Sequence, residues 1–182
     1  MKNLKDLFEH QLKDLYSAET QLLKALPKMA ENASDAKLKK AFEAHLKETE
    51  THQHRLAEVC EELEIKPTGE TCKAMKGLIT EAEAFLKDDA EKAVRDAGLI
   101  ADAQRVEHYE ISGYGTVVRY AKELGYDSIA RKLQKTLDEE YRADEKLDKL
   151  AENRLNKRRN RSFNKLAKPS LPEGFLCLRS LR

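Results

Sequence analysis

The chain has 182 residues, with 34 Lys and Arg against 33 Asp and Glu; 37% is charged, 40% hydrophobic and 6% aromatic, with seven Gly, four Pro and no Trp. This composition speaks against a sandwich or barrel of short strands and for long helices, and the length suffices for one domain with a real core. No apolar run approaches the roughly 18 residues of a membrane span, and Met1-Lys2-Asn3-Leu4-Lys5-Asp6 puts charge where a signal peptide needs an apolar core, so a cytoplasmic protein is expected.

The first predicted helix covers about residues 3–32, with Leu4, Phe8, Leu12, Leu15, Glu19, Leu22, Leu26 and Met29 on one face at steps of three and four. Pro27 lies inside it and is expected to kink it or mark a local irregularity. Ser34 or Asp35 is placed to cap the second helix, about residues 35–64, whose stripe is Leu38, Ala41, His45, Glu48, His52, Leu56, Val59 and Leu63. Pro67-Thr68-Gly69 breaks the pattern. A shorter helix around 71–86 follows. Asp88 or Asp89 is expected to open a third long helix running to about Leu124, with Leu99, Ala103, Val106, Glu110, Tyr114, Val117 and Ala121 on one face. Gly125 suits its C-terminus. Asp127 or Ser128 is expected to cap a fourth long helix over about 128–155, with Ile129, Leu133, Leu137, Glu140, Asp144, Leu147 and Ala151.

Short turns join helices one and two, and three and four, whereas the middle connection is long enough to run the roughly 40 Å length of a helix. The expected fold is all-α: a ferritin-like four-helix bundle over residues 1–156, with a short extra helix in the long crossover.

Each apolar stripe is interrupted by acid near its middle: Glu19, Glu48, Glu107 with Glu110, and Glu140 with Asp144. Ionised carboxylates buried without partners cost several kcal/mol each, and four such helices meeting at one depth would repel. A pair of cations removes that cost. The order, one acid and then an acid with a second group four residues on (His52, Asp144), repeats from one helix pair to the next, like the scheme of di-iron and di-manganese carboxylate bundles. Neither Glu48 nor Glu140 is followed by His three residues on, so the set is richer in carboxylate than that scheme. His45 stands three residues before Glu48 and offers the pair in reverse order; His45 and His108 otherwise read as supporting residues. The metal-ligand set is therefore Glu19, Glu48, His52, Glu107, Glu110, Glu140 and Asp144, for two ions of iron, manganese or zinc. The alternative is a metal-free protective scaffold in which Arg55 and Arg105 neutralise surplus acids. Tyr16, Tyr109 and Tyr114, beside the acids, read as core aromatics with bonded hydroxyls.

No nucleophile motif, P-loop or GxGxxG is present, and Gly113 and Gly115 read as close-packing positions. Cys60, Cys72 and Cys177 are too few for a disulfide framework; Cys60 reads as a small buried thiol.

The segments LKDLYSAETQLLKALPKM, AFEAHLKETETHQHRL, CKAMKGLI, VRDAGLIADAQRVEHYEISGYGT and LDEEYRADEKLDKLA resemble the bacterial YciE/YciF family of ferritin-like proteins over roughly residues 1–156. The resemblance implies a ferritin-like bundle, a di-metal centre, a homodimer and a link to stress responses. Residue by residue it implies Glu19, Glu48, Glu107, Glu110, Glu140 and Asp144 as site residues; at position 52 family members often carry Gln. A carboxylate-bridged pair of redox metals points in turn to iron oxidation or peroxide handling.

Residues 157–182 lie outside that resemblance. They carry eight basic side chains against Glu173, a net of +7 that leaves −6 on residues 1–156. This tail is expected to be disordered, and it is the one stretch suited to nucleic acid or another anionic surface.

Overall fold

A computed structural model of the chain describes residues 1–152. Those residues form α1 (Leu4–Asn32), α2 (Ala36–Glu62), α3 (Lys73–Phe85), α4 (Lys92–Glu123) and α5 (Asp127–Leu150), with no strand among them. The basic tail, Cys177 and the end expected for the fourth long helix near residue 155 lie outside the described residues.

The helix starts follow local chemistry. The Asn3 side chain accepts from the Asp6 N–H at 2.9 Å, and Asp35 accepts from Lys37 and Leu38. Two expected caps are displaced. Asp88 and Asp89 belong to the turn after α3, where Asp88 N–H bonds the Phe85 carbonyl, and α4 starts after Glu91 with no side-chain cap. The fourth long helix starts one residue early, after Tyr126, so Asp127 lies in its first turn, where a carboxylate suits the positive end of the helix dipole. α1 continues through Pro27 as one helix. Gly125 ends α4 at φ +77°, a conformation that a Cβ disfavours.

Packing pairs α1 with α2 and α4 with α5, and sets α1 against α4 and α2 against α5. Two apolar clusters define the helix directions. Phe8 and Leu12 of α1 meet Leu56 and Val59 of α2, Val117 and Ala121 of α4 and Ile129 and Leu133 of α5. Leu22 and Leu26, Leu38 and Phe42, Leu99 and Ala103, and Leu147 form the other end. Every adjacent long-helix pair is therefore antiparallel, and residues 63–91 must cross the bundle from end to end, with α3 laid on α1 and α4. At Gly113 a Cβ would come 2.7 Å from Leu15 Cδ2, so the missing side chain lets α1 and α4 approach closely, as the sequence indicated. Cys60 and Cys72 are buried and free. No helix among the described residues is long and apolar enough to cross a membrane. Between the two apolar clusters lies a layer to which each long helix contributes polar side chains.

Candidate metal centre

That layer is built from Glu19 of α1, His45, Thr49 and His52 of α2, Glu107 and Glu110 of α4, and Glu140 of α5, all buried. Two groups of donors lie together in it. Ligand atoms of Glu19, His52 and Glu140 are mutually within 4.8 Å, and so are those of His45, Glu107, Glu110 and Glu140. Glu140 belongs to both. His52 Nδ1 is 2.9 Å from Glu140 Oε1 and 3.7 Å from Glu19 Oε1, while His45 Nε2 is 3.3 Å from Glu107 Oε1.

Five of the seven ligands expected from the sequence fall into these groups: Glu19, His52, Glu107, Glu110 and Glu140. Glu48 and Asp144 stand at the rim. Glu48 is 36% exposed and lies 3.5 Å from Lys146 and 3.7 Å from His45 Nδ1. Asp144 faces His108 at 3.4 Å and Gln104 at 3.4 Å. The inward positions beside them belong to Thr49 and Ala143. His45, read from sequence as a supporting residue, is inside the cluster. The signal was present: it lies seven residues before His52, two turns along the same face.

The arginines expected in the scaffold alternative are engaged elsewhere, Arg55 with Glu139 at 2.8 Å and Arg105 with Asp102. Among the described residues, Glu19, Glu107, Glu110 and Glu140 have no Lys or Arg within ion-pairing distance; Glu19, Glu107 and Glu140 have only histidines there, and Glu110 has no such partner. Tyr114 donates to Glu19 Oε1, and Tyr109 donates to Asp14. Among the described residues, both oxygens of Glu110 and both of Glu140 are buried with no hydrogen-bond partner, as are Glu19 Oε2 and Glu107 Oε2. The close approach of His52 Nδ1 to Glu140 is out of line for a hydrogen bond.

The electrostatics follow. Burial, then the neighbouring Glu140, pushes Glu19 up to about 8. Burial raises Glu107 and Glu110 well above the carboxylate range, reinforced by the surrounding acids. Burial opposes charge on His52, but Glu140, Glu19 and Glu139 outweigh it and raise its pKa. Glu48, beside His45 and Lys146, is held down to about 2. An interior that crowds unpartnered acid oxygens and two imidazoles fits a cation-binding layer: a divalent ion uses the lone pairs that no donor satisfies.

An antiparallel four-helix bundle with one long crossover and a buried carboxylate–histidine layer defines the ferritin-like class of carboxylate bundles. The chain belongs to the YciF family, whose profile, described as a domain of unknown function (DUF892), matches residues 3–160. Protein YciF of Escherichia coli K12 is 48% identical over 159 residues, spanning 87% of this chain and 96% of that one. The crystal structure of the E. coli stress protein YciF matches with a TM-score of 0.83 over 86% of this chain and 99% of that chain. YcfI from Rhodopseudomonas palustris matches at 0.79, with 45% identity, over 81% and 94%. A Xanthomonas campestris pv. campestris protein at 20% identity and a TM-score of 0.71, over 88% and 99%, shares the fold.

Proposed function

We propose that the chain is a stress-response protein that holds two metal ions between its apolar clusters. Glu19, His52 and Glu140 would hold one ion, and His45, Glu107, Glu110 and Glu140 the other, with Glu140 as the bridge. The observation that carries this reading is the buried Glu110–Glu140 pair, whose four oxygens lack any hydrogen-bond partner among the described residues. The E. coli relative's description as a stress protein supports the cellular setting. An oxygen-rich set with one imidazole per ion suits iron or manganese, with zinc also compatible.

Bound iron or manganese supplies one-electron redox chemistry, and iron oxidation or peroxide handling is the proposed activity. The chain's own part is to orient and exclude. The apolar clusters above and below keep bulk water from the layer, and the Tyr114 hydroxyl fixes one oxygen of Glu19. The proposed unit is a homodimer, supported by the family resemblance; a sedimentation coefficient matching a single chain would refute it. Metal analysis of protein purified without chelators and loaded anaerobically with iron tests the centre, and less than about half an ion per chain sinks the reading.

One observation favours a second reading. Glu19, Glu107 and Glu110 all have raised pKa values, so a metal-free bundle can keep them protonated and act as a protective scaffold. Iron that leaves the melting temperature unchanged would select it.

A further inference from the structure

We infer that Glu139 is a positioning residue, holding the outward ring nitrogen of His52 so that the inward nitrogen offers its lone pair to a cation, an inference that rests on the metal reading above. The His52 ring spans two environments. Its Nδ1 faces Glu140 and Glu19, and its Nε2 lies 3.1 Å from Glu139 Oε2. That oxygen also accepts from Arg55 at 2.8 Å, and the same Arg55 nitrogen donates to Thr136 Oγ1. Two pairs spaced three apart, His52 with Arg55 on α2 and Thr136 with Glu139 on α5, thus interlock across the helix interface. Side-chain exposure is 1% for His52 and 16% for Glu139, so the carboxylate is fixed on both sides.

The other histidine has a carboxylate nearby but no acceptor in hydrogen-bond reach of its outward nitrogen among the described residues. His45 Nε2 faces Glu107, and His45 Nδ1 lies 3.7 Å from Glu48 Oε2, whose other oxygen is 3.5 Å from Lys146 Nζ. A neutral imidazole binds metal through one nitrogen and must carry its proton on the other; an acceptor there sets the tautomer and raises ligand basicity. The opposite ring nitrogens face inward, Nδ1 for His52 and Nε2 for His45. In each case the outer carboxylate is held by a cation. Only Glu139 lies close enough to its histidine to accept the outward N–H.

Zinc(II) titration of the full chain at pH 7, followed calorimetrically and by ¹⁵N NMR of the histidines, tests this. Wild type should bind zinc through His52 Nδ1 with the proton on Nε2. Glu139→Ala should weaken one site about 10- to 100-fold and disturb that ¹⁵N pattern. Glu139→Gln, whose amide oxygen still accepts from Nε2, should restore the pattern and much of the affinity. Glu48→Ala should cost less than Glu139→Ala. Should Glu139→Ala not fold, Glu139→Asp, which draws the carboxylate back by one methylene, should show the same loss. Zinc bound equally by all variants with an unchanged ¹⁵N pattern overturns the positioning role and leaves the metal reading standing. A wild-type chain that binds no zinc, iron or manganese overturns both.

Discussion

His52 Nδ1 and Glu140 Oε1 lie 2.9 Å apart with neither in line to bond the other. The two groups, each no more than 1% exposed, approach where a cation would satisfy both. Glu140 is also the member shared by the two donor groups, so the layer is organised around it.

Replacing Glu140 should therefore be the most damaging single change to metal binding and among the least damaging to the bare fold. Glu140→Ala should reduce bound iron from about two ions per chain to below one. It removes an acid from an acid cluster, so the metal-free melting temperature should hold or rise, by roughly 2–4 °C for each kcal/mol of repulsion relieved. Metal content by mass spectrometry and calorimetric melts read both effects.

The pH dependence of the metal-free chain should run opposite to that of an ordinary salt-bridged protein. Glu19 has a folded pKa of about 8 against an ordinary 4.5, and Glu107 and Glu110 are raised in the same sense. Between those limits the folded chain holds protons that the unfolded chain has released. Stability therefore falls as pH rises, by up to about 1.4 kcal/mol per pH unit for each such group. His52, also raised, contributes stability below its ordinary value of 6.5 that is lost as pH climbs through its folded pKa, in the same direction. Glu48, held down to about 2, contributes stability that is lost only on acidification below its ordinary 4.5. Melts of metal-free protein from pH 5.5 to 8.5 should decline steadily, while metal affinity climbs over the same range because binding displaces those protons. A metal-free melting temperature that rises across this range contradicts the assigned burial of the acids.

Tyr114→Phe should destabilise the metal-free chain by about 1–2 kcal/mol, because it strips the fully buried Glu19 of its hydroxyl donor. Urea unfolding should show a lower midpoint with an unchanged slope. A midpoint equal to wild type would mean that the hydroxyl contributes nothing to holding Glu19.

Any affinity for nucleic acid should reside in residues 157–182. The rest of the chain carries −6 against their +7, and net negative charge repels phosphate. A chain ending at residue 156 should not retard duplex DNA at about 100 mM salt, and any binding by the full chain should fall steeply with added salt. Equal binding by the shortened chain would move the contact to the bundle.

Much of this arrangement was legible in the sequence because helical periodicity is a strong constraint. Glu19, Glu110 and Glu140 sit at steps of three or four from buried leucines, valine and tyrosine, and no other register keeps those residues in the core. Where two polar neighbours both fit the period, spacing alone does not choose. On α2 the step from His45 reaches Glu48 at three residues or Thr49 at four; chemistry favours the acid, but the face that also holds His52 and Leu56 takes Thr49 inward. On α5 the same ambiguity separates Ala143, buried, from Asp144 at the rim. Glu139 was invisible for another reason: its significance lies in Arg55 and His52 across an interface, 84 and 87 residues away in the chain. Displacement of the α4 cap has a local cause, since the Asp88 N–H is taken up by the turn closing α3.

The most direct measurement is anomalous scattering from crystals of the full chain loaded with iron. Two peaks should appear in the layer between the apolar clusters, both bonded to Glu140, one also to His52 and the other also to His45. An interior without anomalous signal, or iron only at the rim beside Glu48 and Asp144, would remove the di-metal centre and leave a helical scaffold.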